Sequence, residues 1–215
     1  MPQDNRGNKR RVRLTFTEEV LGSQPGSKEE FDGFFQERAV AAMVKGGASE
    51  DEARDATAQE REAIGADEAM ERGKTVFPRT MDGRPCMYGY QLKGAFKDAC
   101  SMMRRVPGSK SSKLTAYKKA IDGTLFVNER KVPFDVFGEM GECVRPLRAS
   151  TPQGDRVALA RSETIPAGST LTFTVTCLDG RLWPTVEEWL NYFGVRGIGQ
   201  WRNSGKGTCR WEYAD

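Results

Sequence analysis

An α+β sandwich is the fold class this sequence predicts, and three observations predict it. From Thr170 to Leu178 apolar and polar residues alternate, with Leu171, Phe173, Val175 and Cys177 on one face, the period-two pattern of a half-buried strand. Arg11 to Thr17 shows the same alternation near the other end of the chain. Leu92, Phe96, Ala99 and Met103, and later Trp189, Leu190 and Phe193, fall at helical spacing, so the order runs strand, helices, strands, helix, strand.

The elements follow in order. After a basic segment Met1–Arg11 comes the strand Arg11 to Thr17, and Gly22 to Ser27 breaks the chain. Ser27 with Glu30, and Ser49 with Glu52, have capping-box spacing, which predicts helices through about Lys45 and from Glu50 to Arg72, separated by Gly46-Gly47. The pair is poor in apolar residues and reads as an acidic insertion, residues 28–72, in one domain spanning 1–215. Thr75 to Arg79 is a short strand and Asp82-Gly83-Arg84-Pro85 a turn. A loop bearing Tyr88 and Tyr90 enters the helix of Leu92 to Met103, and Pro107 to Lys113 is expected as a flexible, exposed basic loop. Leu114 to Ala120 reads as a short helix, and Thr124–Val127 with Lys131–Phe134 as a hairpin around Asn128-Glu129-Arg130. Arg145–Ala149 and Arg156–Arg161 bracket the turn at Pro152–Asp155 as a further strand pair. After the strong strand, Pro184 opens a helix through Phe193, a glycine-rich loop follows, and Thr208 to Tyr213 is the last strand.

Composition excludes several chemistries. The chain has no histidine, so Ser-His-Asp and Cys-His catalysis, histidine general bases and histidine-ligated metals are impossible. Its five cysteines contain no Cys-x-x-Cys pair and read as reduced, mostly buried thiols rather than a zinc site. No motif asks for a cofactor or a metal. No run of eighteen apolar residues exists and no apolar segment follows the basic N-terminus, so a cytoplasmic protein without membrane contact is expected.

Charge is unevenly placed. Between Lys28 and Glu71 there are thirteen acidic and five basic residues, a balance of −8 that leaves +11 on the rest of the chain. Eight cations (Lys93, Lys97, Arg104, Arg105, Lys110, Lys113, Lys118 and Lys119) stand against one acid, Asp98, between Lys93 and Lys119. That is the footprint of a polyanion-binding surface, or of a solvated face. From Gly194 to Gly207 five glycines, three cations (Arg196, Arg202 and Lys206) and Trp201 fit a backbone-lined site for phosphate with a stacking face. A plain turn with Trp201 in the core meets the same composition. Tyr88 and Tyr90 have the same two readings, base-stacking or core, while Arg145, Arg148, Arg156 and Arg161 extend a groove or stay solvated.

Two segments carry a resemblance. Tyr90-Gln91-Leu92-Lys93-Gly94-Ala95-Phe96-Lys97 resembles the loop-to-helix segment of the RAMP superfamily, the RRM-like CRISPR proteins that include Cas7 backbone subunits, and Gly197 to Gly207 resembles their C-terminal glycine-rich loop. The wider sequence is similar to an uncharacterised family of phage and prophage proteins, in Leu14–Gly22, Val76–Arg79, Lys93–Cys100, Arg145–Ala149 and the C-terminal loop. The resemblance implies an RRM/ferredoxin-like antiparallel sheet with helices. It also implies a viral setting in a bacterial host and a single-stranded nucleic acid, RNA or DNA, held without sequence readout by Tyr88, Tyr90, Lys93, Lys97, Arg104, Arg105, Lys110, Lys113, Arg145, Arg148, Arg196, Trp201, Arg202 and Lys206. Copies assembling into filaments or rings would match the separated charges. Two other functions stand beside this one: a counter-defence protein binding a host protein or a nucleotide signal through the acidic helices, and a metal-independent ribonuclease using Tyr88 or Lys93. Asp122 and Asp135 are candidate equivalents of the aspartate that cleaving backbone subunits use, and no local motif singles out either; a non-catalytic scaffold is the expectation.

Overall fold

The computed structural model describes residues 8–26, 74–151 and 154–215. The acidic insertion expected at 28–72 lies outside the described residues. The described residues form two compact units, one of residues 8–22, 77–141 and 164–215, the other of 23–26, 74–76, 142–151 and 154–163.

The first unit is an antiparallel sheet packed with three helices. Its strands are β1 (Lys9–Phe16), β5 (Cys86–Tyr88), β6 (Leu125–Val127), β7 (Lys131–Asp135), β10 (Thr170–Cys177) and β11 (Cys209–Ala214). The spatial order is β11-β1-β10-β7-β5, with β6 also on β10. With α1 (Gly89–Met103) after β1 and α3 (Trp183–Arg196) after β10, this is the split β-α-β arrangement doubled into a ferredoxin-like sheet, so the expected α+β, RRM/ferredoxin-like antiparallel sheet with helices is present. Alternation explains the layers. Val12, Leu14 and Phe16 of β1 and Leu171, Phe173, Val175 and Cys177 of β10 are buried, whereas Arg11 and Arg13 are exposed. Phe96 of α1 joins the layers, its ring 5.2 Å from Phe193, 6.1 Å from Trp189 and 6.4 Å from Phe173. A short strand β2 (Val20–Leu21) pairs with Thr164 and Ile165, the end of β9 (Gly154–Ile165).

Two local expectations are corrected. The segments around Asn128-Glu129-Arg130 are not a hairpin, because both run antiparallel to β10: Val127 opposes Val175 and Phe134 opposes Leu171. They are one strand interrupted by a bulge, and Glu129 closes the gap. Its carboxylate accepts from Thr174 N at 2.9 and 3.0 Å, replacing the carbonyl that the bulge removes from the ladder. The helix expected at Leu114–Ala120 is instead α2 (Tyr117–Thr124), since Leu114 is extended and Ala116 takes a left-handed φ of 45°.

In the second unit β3 (Gln24–Pro25) pairs antiparallel with β4 (Lys74–Val76), which pairs parallel with β9 at Arg161 and Ser162. The strand pair expected around Pro152–Asp155 is β8 (Gly141–Thr151) with β9. Glu142 holds Lys74 at 2.7 Å and Arg161 at 3.7 Å.

Candidate nucleic-acid interface

The bulge positions the start of α1. Gly89 N donates to the Arg130 carbonyl at 3.0 Å, and a Cβ on Gly89 would collide with the Glu129 carbonyl, so only glycine fits. Gln91 Oε1 accepts from Tyr88 N at 2.9 Å and caps the helix. The rings of Tyr88 and Tyr90 stack 5.3 Å apart at 16°, with Tyr90 67% exposed, so the pair presents an aromatic face to solvent rather than filling the core. The Lys131 ammonium lies 5.9 Å from the Tyr88 ring.

The next turns of α1 carry Lys93, Gly94, Lys97 and Asp98. Lys97 meets the Asp122 carboxylate at 2.5 Å, while Lys93 donates to the Asp122 carbonyl at 3.0 Å and lies 4.6 Å from the Phe126 ring. Burial pushes the Lys93 ammonium pKa down, against the pull of Asp122, and the Lys97 hydrogen bond holds the Asp122 carboxyl below its ordinary value. The helix begins at Gly89, so Lys93 and Lys97 sit one and two turns in. The attraction of a helix N-terminus for anions fades within the first turn, so the dipole adds little at these two lysines. Gly94 is exposed and a Cβ on it would meet nothing within 4 Å.

Residues 197–207 fold back on α1. Ile198 N donates to the Gly207 carbonyl at 2.9 Å, and Gly197 and Gly207, at φ of 74° and 72°, leave no room for a Cβ against the Lys206 and Ile198 carbonyls. These glycines are required by the loop's own closure. Trp201 holds a left-handed φ of 54° and is 39% exposed, outside the core. Arg202 Nη1 donates to Asp98 Oδ2 at 2.5 Å, and Arg196 Nε lies 3.7 Å from the same oxygen. Arg196 also donates to Asn203 Oδ1. Lys206 meets Glu19 at 2.8 Å and Glu18 at 3.7 Å. Arg196, the last residue of α3, and Arg202 of the loop thus reach α1 through Asp98, Lys206 is held by Glu18 and Glu19, and each of these three cations, like Lys93 and Lys97 with Asp122, faces a carboxylate.

The remaining predicted residues lie elsewhere. Arg104 caps the far end of α1, its guanidinium 5.0 Å from the Tyr117 ring, and Arg105 follows it. Lys110 and Lys113 are exposed, yet their loop is not the flexible segment expected. Glu188 of α3 accepts from Lys110 N at 2.7 Å, Ser111 N at 3.0 Å and Ser111 Oγ at 2.5 Å, and Trp189 Nε1 donates to Ser111 Oγ at 2.8 Å. Pro107, Gly108, Lys110, Ser112 and Lys113 are exposed as expected, while Ser109 and Ser111 are buried as the anchors of the turn. Arg145, in the second unit, is buried rather than solvated. Arg148 lies on β8 and its side chain is outside the described residues, as is that of Arg156.

Sequence reasoning missed the counter-charges Asp98, Glu18 and Glu19, the cation Lys131, and the role of Phe126. Asp98 did carry a signal, being the one acid between Lys93 and Lys119. It also missed Arg11, Arg13 and Arg210 on the sheet face opposite the helices, where Arg13 pairs with Glu212 at 3.3 Å. Among the described residues no group of three or more Cys, Asp or Glu side chains is arranged to hold a metal ion, and no helix is long and apolar enough to cross a membrane.

No protein-family model and no curated protein matches this chain. Solved structures do. A chain of the type III-B Cmr-beta complex bound to cognate target RNA superposes with a TM-score of 0.53 at 9% identity, covering 98% of this chain and 61% of that one. This chain therefore spans about three fifths of its neighbour's length. A chain of a type IV-B CRISPR complex superposes with a TM-score of 0.45 at 11% identity, covering 96% of this chain and 90% of that one. The first likeness places the fold among those of CRISPR complex subunits.

Proposed function

We propose that this protein binds single-stranded nucleic acid along α1 and the glycine-rich loop, gripping the phosphate backbone without reading sequence, as a scaffold and not a catalyst. The observation that carries the reading is that one helix bears a stacked tyrosine pair with Tyr90 exposed, two lysines and a bare glycine, and is tied by Asp98 to Arg196 and to Arg202 of the loop that also carries Trp201 and Lys206. Cations meet phosphates, aromatic faces accept any base, and a helix surface without a side chain lets a backbone approach. The fold shared with a subunit of an RNA-bound assembly supports the same reading. A single strand suits these groups better than a duplex, because stacking on Tyr90 or Trp201 needs unpaired bases. Several copies side by side on one strand would make the protein a filament former in a phage or prophage setting.

The test is fluorescence anisotropy with labelled single-stranded RNA, single-stranded DNA and duplex DNA over a salt series. Single strands are expected to bind with a steep salt slope, and the double substitution Lys93→Ala/Lys97→Ala is expected to weaken binding by roughly ten- to a hundredfold. Equal binding of duplex, or no binding at low salt, would overturn the proposal. Light scattering on the saturated complex reads the number of copies per strand, and a single copy on a long strand would remove the filament.

A further inference from the structure

The cations of this surface are already occupied by the protein's own acids, and Asp98 and Asp122 each face two of them. We propose that Asp98 is a specificity-determining residue: its carboxylate stands in the place of a ligand phosphate between Arg196 and Arg202, so that a ligand with several linked phosphates displaces it and a lone anion does not. This inference rests on the nucleic-acid reading above and names what the site selects.

Three observations lead to it. Asp98 Oδ2 lies 2.5 Å from Arg202 Nη1 and 3.7 Å from Arg196 Nε, the contact a phosphate oxygen would make, and the three side chains are only 25–29% exposed. Partial burial makes this pairing stronger than an open surface ion pair. Asp98 also adjoins Lys97 in the chain, which is held by a second carboxylate, Asp122, at 2.5 Å, so the pattern repeats along the helix. A third pair, Lys206 with Glu19 at 2.8 Å, completes it on the loop.

The energetic consequence follows from counting contacts. A single inorganic anion entering at Arg202 trades one charge-assisted hydrogen bond for another and leaves Asp98 with only its longer contact to Arg196, with little net gain. A strand meets Lys93, Lys97, Arg196 and Arg202 together. Once one phosphate is placed the others arrive at high effective concentration, so the linked ligand exchanges all the carboxylates where separate anions exchange none.

A double-mutant cycle tests this, with anisotropy of a labelled oligouridylate read for wild type, Asp98→Asn, Arg202→Gln and the double variant, each with and without inorganic phosphate as competitor. Asp98→Asn is expected to bind the strand about fivefold more tightly at low salt, and that gain is expected to vanish in the Arg202→Gln background. Inorganic phosphate is expected to compete against Asp98→Asn and not against wild type. A gain that survives Arg202→Gln would mean a long-range charge effect and overturn the proposal. So would weaker binding by Asp98→Asn, or equal competition by phosphate in both proteins. Binding by wild type with no gain in Asp98→Asn overturns this inference alone, while absence of binding by both overturns the nucleic-acid reading beneath it. Asp98→Ser gives the same readout should the amide disturb the loop, and thermal melting of each variant checks the fold.

Discussion

Two glycines on the same surface are under opposite constraints, and substituting them separates the needs of the fold from those of a ligand. Gly197 has φ of 74° and no space for a Cβ, so Gly197→Ala is expected to cost more than about 2 kcal/mol, from the left-handed backbone and the collision with the Lys206 carbonyl together. Gly94 is a helical glycine whose Cβ would meet nothing, so Gly94→Ala is expected to stabilise the protein by about 0.5–1 kcal/mol. The fold gains nothing from glycine there. A strand crossing α1 would lose the bare surface, so the same variant is expected to melt higher and bind single strands more weakly. Thermal melting and anisotropy on one preparation read both, and higher stability with unchanged binding would move the strand away from Gly94. Trp201 makes the complementary case. Its left-handed φ is strained for a bulky side chain, and Trp201→Gly removes that strain together with the stacking face. Binding is expected to weaken by roughly 1–3 kcal/mol per lost stacked base while the melting temperature changes little.

At the scale of elements, contacts between segments decide what the strands and loops do. Glu188 is the clearest instance, since one carboxylate on α3 fixes two backbone amides and a buried hydroxyl of the 109–113 turn. Glu188→Ala is expected to cost about 2–3 kcal/mol and to speed hydrogen exchange at Lys110 and Ser111, and unchanged exchange there would show that the turn is held by other contacts. This device was not legible in the sequence, where Pro107 to Lys113 has the composition of a loose loop and its anchor lies 77 residues away. The bulge at Asn128-Glu129-Arg130 was hidden for a like reason. Polar residues between two apolar runs read as a turn, and nothing local says that a glutamate will act as the missing acceptor of a neighbouring strand. By contrast β1 and β10 were readable because each has one wet and one dry face, which forces strict alternation. The helical faces of α1 and α3 were readable through the same asymmetry at period 3.6. Within the site, the cations and aromatics were legible by type, whereas their pairing was not: Arg202 and its partner Asp98 are 104 residues apart.

Across the whole molecule, the burial that builds the core also sets its response to alkali. Cys209, Cys100, Cys177 and Cys86 are free thiols in the core, and burial raises the pKa of all four, to about 12 for Cys209 and about 11 for Cys100. In the unfolded chain each titrates near 9.0. Below that value both states hold the thiol protons and stability does not depend on them. Above it the unfolded chain releases protons that the native core retains, so the unfolded state binds fewer protons and stability falls as pH rises toward the folded values. Each fully retained proton makes the slope about 1.4 kcal/mol per pH unit, so several thiols together give a steep alkaline limb. The acid side has the reverse sign and a weaker cause. The Lys97 hydrogen bond lowers the Asp122 carboxyl below its ordinary 3.8, so the stability it adds is present above that value and lost as pH falls below it. Asp122 is exposed, so this limb is shallow. Denaturant melts at a series of pH values are therefore expected to give a plateau through neutrality, a mild decline in acid and a sharp one beginning near pH 9. Cys209→Ala lowers stability everywhere by leaving a small cavity, and the informative quantity is the alkaline slope, which is expected to become shallower by the share of one thiol. An unchanged slope would show that lysine and tyrosine titration, rather than the buried thiols, governs the loss.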